Sequence, residues 1–368
     1  MRFLPIALIA LAIGCSGDAP TSADNGTNAT GPDAATPATT TAPPAGPFTV
    51  GWSEYPSWSA FWAMHKAGTL DGDEGELGTF EKQYNVDIVL VEGTYDDCIA
   101  KYSSGQLDIV ALTNLDTLAT GVRSVAFLPT STSFGGDQAW TSTKITDLAQ
   151  LKGKKVHGLA GSVSEYMFRR NVEIAGLNQA DFIWVGETPE AVTQAIMGHN
   201  ESFGAGVVWN PYGIAIRKER ADMHPLVTSR AIGGEIVDML VMSEASAAKP
   251  GAAAAQGALT AAFYDFNDRL QGPQRDELLV AAGEKFGASS VEDMNIAVVE
   301  TKFYGSSAEG LAVWNGAQLR ETMPRMVQFV MAGGVVTTEP VVAYGAAPTG
   351  IPDTQAYLRF DASAMEAL

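Results

Sequence analysis

Gly233-Gly234-Glu235-Ile236-Val237-Asp238-Met239-Leu240-Val241-Met242-Ser243 is the stretch on which the fold turns. Its second half is a short, nearly continuous apolar run, as in a strand covered on both faces. It follows two groups of apolar runs that alternate with helical patterns. Read as a return crossing from the second group to the first, it makes the chain a body of two lobes. The glycine pair ahead of it permits the bend that a crossing needs.

Upstream, Phe48 to Trp52, Val86 to Val91, Leu107 to Thr113 and Val125 to Pro129 read as strands, with helices around 60–67 and 96–103. A second group has strands at 155–159, 181–185 and 206–209, with helices at 164–175 and 189–198. Ser162 and Glu165 have capping-box spacing, and Thr188-Pro189-Glu190 sets a cap before a first-turn proline. From 245 to about 332 the pattern is helical, and these helices are expected on the first lobe. Strands alternating with helices define an α/β class. The expected layout is 48–137 for the first part of lobe 1, 138–235 for lobe 2, and 236–368 for the crossover and returning helices. No repeat of 20 to 50 residues is visible, which argues against a solenoid or propeller.

The chain begins with Arg2 and an apolar run from Phe3 to Ile13, too short for the ~20 residues of a stable span. Leu11-Ala12-Ile13-Gly14-Cys15 resembles the lipobox of bacterial lipoproteins, so 1–14 is expected as a signal peptide and Cys15 as the lipidated residue. The 32 residues from Ser16 to Pro47 hold six Pro, nine Ser or Thr, eight Ala and four Gly. Such a segment cannot bury enough surface to offset its ordering entropy, so 15–47 is expected as a lipidated cysteine with a disordered linker. The whole chain carries 42 acidic and 23 basic side chains, a net charge of −19. That balance disfavours nucleic acid, whose phosphates demand clustered Lys and Arg. Two cysteines cannot form a disulfide framework.

Val50-Gly51-Trp52-Ser53 with Tyr55 and Trp58, followed by Gly105-Gln106-Leu107-Asp108 and Thr113-Asn114-Leu115-Asp116, resembles the sulfonate, nitrate and thiamine-precursor group of ABC-transporter solute-binding proteins. Lys152 to Val156, Ser162-Val163-Ser164 with Tyr166, Val208-Trp209-Asn210-Pro211, Gly234 to Asp238 and Tyr357 to Asp361 are similar to its urea-carboxylase-associated subgroup. The resemblance implies a periplasmic-binding-protein fold of type II, with each lobe a mixed sheet flanked by helices and a ligand cleft between them. It also implies an extracytoplasmic, membrane-anchored lipoprotein that acts as a monomer with ABC permease and ATPase subunits. The implied ligand is of the urea or guanidine type. A sulfonate, nitrate, a thiamine-precursor pyrimidine or another amine stand as alternatives.

In such a fold the ligand meets loops at the carboxyl ends of strands. Trp52, Tyr55 and Trp58 follow the first strand and Trp209 ends one of the second group, so aromatic faces are expected from both sides. Carboxylates at Asp116, Glu235 or Asp238 add charge, and a guanidinium fits a carboxylate by two parallel hydrogen bonds. Glu235 and Asp238 lie three apart, so one of them is expected in the cleft, with Asp238 favoured on the crossing strand. Asn114, Ser162, Ser164, Tyr166 and Asn210 join the site through the matching motifs. No Lys or Arg lies in 50–60, 111–118, 159–167, 206–214 or 232–240, which disfavours an anionic ligand. No zinc spacing, nucleophile elbow, P-loop or dinucleotide fingerprint is present, so neither a cofactor nor enzymatic chemistry is expected.

Overall fold

The computed structural model describes residues 42–200, 203–287, 290–347 and 356–368. The expected signal peptide, the lipidation of Cys15 and the linker up to residue 41 lie outside the described residues.

Two sheets form the lobes. The first runs β2 (Val86–Glu92), β1 (Ala45–Trp52), β3 (Ile109–Thr113), β10 (Val237–Ser243), β4 (Ser124–Ser133), β13 (Leu358–Phe360), β12 (Val342–Tyr344), with β11 (Thr301–Phe303) also on β4. The second runs β7 (Ile183–Gly186), β6 (Lys155–Gly158), β8 (Ala205–Trp209), β5 (Asp137–Ser142), β9 (Met223–Thr228). Helices flank both, as a mixed α/β chain requires to cover apolar strands. β1 starts inside the stretch read as linker: Ala45 N–H donates to the Asn85 carbonyl at 3.0 Å.

β10 and β3 are buried at every position, so neither alternates polar and apolar residues. β10 runs antiparallel to both β3 and β4. Its first residues therefore lie at the edge where β3 ends, and Asp238 falls directly between Thr113 and Ser131. Directly opposed residues share a face, so these three side chains form one polar rung. In the second sheet, Asp137 opens β5 directly opposite Trp209, which closes β8.

The helices that follow β10 pack on the first sheet. In the helix Ala252–Arg269, Ala255, Ala258, Leu259, Ala262, Phe263 and Phe266 are buried at helical spacing. Phe263 lies 6.3 Å from Phe61 and 6.4 Å from Phe303, ring centre to ring centre. A fully buried phenylalanine contributes ~1.5–3 kcal/mol.

The chain crosses between sheets twice. Both crossings hold a glycine at positive φ, Gly135 at 113° and Gly234 at 86°, a region that side chains disfavour. Ser133 and Ser229, one from each crossing, join their hydroxyls at 2.7 Å. Glu300, ending the helix Val291–Glu300, reaches the second lobe. Its carboxylate accepts from Gln138 Nε2 (2.9 Å), Asn210 Nδ2 (2.7 Å) and Arg217 Nη2 (2.9 Å). Its carbonyl accepts from Phe134 N–H at 2.9 Å on the first crossing.

Two local expectations change. Ser162 accepts from Ser164 N–H, but Glu165 turns instead to Gly161 N–H at 2.9 Å and to Arg169, so the capping box does not close. β5 and β9 join the second sheet without having shown a strand pattern in sequence.

Candidate functional site

The two rungs meet across the lobe junction. Tyr55, Trp58, Tyr95, Thr113 and Asp238 of the first lobe and Asp137, Leu159, Ser162, Val163 and Trp209 of the second line one cavity. It spans about 330 Å³ between atoms. The aromatic wall is continuous. Trp58 lies 4.9 Å from Tyr55 and stacks nearly parallel on Tyr95 at 5.7 Å, and Tyr95 meets Trp209 edge-on at 5.9 Å.

Two carboxyl groups, Asp137 and Asp238, line it without a basic residue in the described lining, and a third, Asp116, lies just behind. Asp238 accepts from Ser131 Oγ at 2.5 Å, and Ser131 continues to Ser57 Oγ at 2.8 Å. Asp116 stands behind the wall, accepting from Tyr95 Oη (2.7 Å) and Thr113 Oγ1 (2.8 Å). Val163 N–H, at the start of the helix Val163–Ile174 in the other lobe, also favours its charged form. Burial raises Asp116 to about 6 despite these donors. Burial likewise raises Asp137 to about 6, helped by the charge of Asp116. Asp238 is pushed well above the ordinary carboxylate range, by burial first and then by Asp137 and Asp116. Burial first, then the charges of Asp238 and Asp137, drives Tyr55 upward, and its buried hydroxyl makes no close hydrogen bond. The indole N–H of Trp58 is also buried without one.

Of the residues expected from sequence, the structure brings together Tyr55, Trp58, Ser162, Trp209 and Asp238, with Asp116 bonded to the lining through Tyr95 and Thr113. The Ser162 hydroxyl is committed to its own loop, donating to the Leu159 carbonyl at 2.8 Å. Six others lie elsewhere. Trp52 is still in register on β1 opposite Glu92, packed in the core. Asn114 binds backbone: its Nδ2 donates to the Glu235 carbonyl at 3.0 Å and its Oδ1 accepts from Val237 N–H at 3.1 Å. It fastens the start of β10 to the end of β3. Ser164 is buried one residue inside its helix, with an unpartnered hydroxyl. Asn210 turns to Glu300.

Glu235 and Tyr166 form a separate pair. The Glu235 carboxylate accepts from Arg170 Nε (3.0 Å) and Nη2 (2.9 Å) and from Tyr166 Oη (2.6 Å), with Arg325 at 3.8 Å. Burial pulls Glu235 upward, but Arg170 and Tyr166 outweigh it and leave its pKa below the ordinary value.

Tyr95, Thr113, Asp137, Leu159 and Val163 are lining residues that the sequence reading omits. Asp137 carried a usable signal: Gly135-Gly136-Asp137 repeats the pattern of Gly233-Gly234-Glu235, two glycines and an acid at a crossing between lobes.

No family model and no curated protein matches the chain. Solved structures do. The periplasmic aliphatic sulphonate-binding protein SsuA of Escherichia coli is 18% identical, with 79% of this chain and 89% of that chain covered at a TM-score of 0.62. The alkanesulfonate-binding SsuA of Xanthomonas axonopodis pv. citri, bound to MOPS, is 14% identical, with coverages of 81% and 96% and a TM-score of 0.63. A putative sulfonate-transporter periplasmic protein of Methylobacillus flagellatus is 11% identical, covering 89% and 94% at 0.64. At these identities the likeness carries the architecture, and the chain has the two-lobed periplasmic-binding-protein fold. The residues facing the cavity must supply the chemistry.

Proposed function

We propose that the protein is the solute-binding component of an ABC importer and that it closes its lobes on a small organic cation of the guanidinium type. One observation carries this reading. Asp137 and Asp238 face a shared aromatic cavity from opposite lobes, and no Lys, Arg or His stands among its described lining residues. Buried carboxylates without a counter-charge are costly, and a bound cation supplies that charge. A planar guanidinium offers N–H donors along its edges for both carboxylates and flat faces for Trp58, Tyr95 and Trp209. The cavity lies at the small end of the range for ligand pockets, which suits a small solute. A sulfonate or nitrate would add a negative charge beside three acids.

Because ligand contacts to both lobes exist only when the lobes are together, binding selects the closed shape that a permease recognises. A lipid on Cys15 and the following tether would keep the domain beside that permease. The test is thermal unfolding of the purified protein with guanidinium, methylguanidine, urea, taurine or nitrate at millimolar concentration. A ligand at 100 times its Kd stabilises by ~2.7 kcal/mol, so guanidinium is expected to raise Tm by several degrees. A shift with taurine or nitrate and none with any cation would overturn the reading.

A further inference from the structure

The cation-receptor reading leaves one question open to the geometry: what balances the carboxyl groups when the closed cavity holds no solute. Asp238 faces Ser131, Tyr55 and the charges of Asp137 and Asp116. Tyr304 in turn feels the charge of Asp238. Asp137 faces Ser133 and the charge of Asp116. Asp116 faces Tyr95, Thr113, the Val163 N–H and the charge of Asp96. Every one of these neighbours is a neutral donor or a further acid. Electrical balance inside the closed lobes must then come either from the solute or from protons.

Resting on the cation-receptor reading, we infer that capture at this site is an exchange, in which the closing lobes take in a monocation and release to solvent protons held by the cavity's carboxyl groups. The balance is simple. A carboxyl O–H gives its proton to water, and the carboxylate left behind accepts an N–H of the cation. The protons are available because burial keeps Asp116 and Asp137 near pH 6 and Asp238 higher still. Two consequences follow. Affinity for a cation falls in mild acid, where protons compete for the same oxygens. A neutral isostere such as urea drives no exchange, so the site separates two solutes of nearly equal shape by charge alone.

The experiment is calorimetric titration of the full chain with guanidinium chloride at pH 6, in phosphate and in ACES, whose ionisation heats differ. The expected result is a buffer-dependent heat equivalent to about one proton released per cation, with affinity weakening about tenfold from pH 6 to pH 5. Asp137→Asn is expected to bind more weakly and to release fewer protons. Cation binding with equal heats in both buffers and a flat affinity from pH 5 to pH 8 would overturn the exchange while leaving the cation receptor standing. Absence of binding by guanidinium and methylammonium at every pH would overturn both.

Discussion

Two places at the lobe junction hold carboxylates, and they treat them in opposite ways. The larger is an open groove of about 1640 Å³, lined by Arg169, Arg170, Arg325, Glu165 and Glu173, among others, beside Glu235. Its charges are already paired, Glu235 with Arg170 and Glu165 with Arg169. The smaller is the aromatic cavity of about 330 Å³, whose acids have only hydroxyls, amides and one another. Size would select the groove as a binding site. Uncompensated charge selects the cavity, because a site that has settled its own electrostatics gains little from a charged guest.

The contrast breaks most sharply on removal of one charge from each place. Glu235→Gln leaves Arg170 without its main partner and is expected to lower unfolding free energy by about 3 kcal/mol, with less than a tenfold change in cation affinity. Asp238→Asn is expected to do the reverse. It should cost guanidinium about 100-fold in affinity, while the empty protein becomes more stable at pH 7 by about 1 kcal/mol. Calorimetric titration and chemical denaturation of the two variants read both effects. If Asp238→Asn destabilised the empty protein as much as Glu235→Gln, the cavity would be an ordinary structural network.

A smaller effect is expected at the wall. Trp209→Ala removes one aromatic face but no charge, and should weaken guanidinium about tenfold with an unchanged pH profile.

The pH dependence of stability separates the two places again. Asp116 and Asp137 hold their protons to about 6 in the folded state, against an ordinary value of 3.8. Their contribution to unfolding free energy is therefore greatest below that ordinary value, falls as pH climbs toward about 6, and is level above it. Glu235 is shifted down from 4.5, so its contribution is present above that value and disappears as pH falls through the folded pKa. Denaturation of Asp137→Asn across pH 4 to 7 should flatten the first slope, and Glu235→Gln should flatten only the acid limb. The smallest effect is reserved for Arg325, half exposed and 3.8 Å from Glu235. Arg325→Ala should change stability by less than about 0.5 kcal/mol.

Legibility in the sequence followed the same physics. β10 could be read directly because a strand buried on both faces must be almost wholly apolar, and Asp238 stood out within it. β5 could not. Asp137, Gln138 and Thr141 are buried polar residues whose partners include Glu300 and the Gly204 carbonyl, far along the chain, so no local alternation marks the strand. The rung that joins Asp137 to Trp209 is likewise a matter of register between strands. Glu235 was a reasonable candidate until Arg170, 65 residues away, occupied it. The absence of Lys and Arg from five loops agrees with the described lining of the cavity, yet it was silent about a guanidinium arriving from a helix next to those loops. Asn114 shows a different limit: its place in a matching motif reflects the splice it makes between β3 and β10.

Glu300 adds a matter of timing. Its carboxylate holds three donors of the second lobe while its carbonyl holds the first crossing, all outside the lining of the aromatic cavity. Lobes that part would have to let go of the three carboxylate bonds together. If the protein captures a solute as proposed, the dwell time would then be set partly by a residue that never touches it. Loosening Glu300 would then leave the proposed receptor to fill as readily and empty sooner.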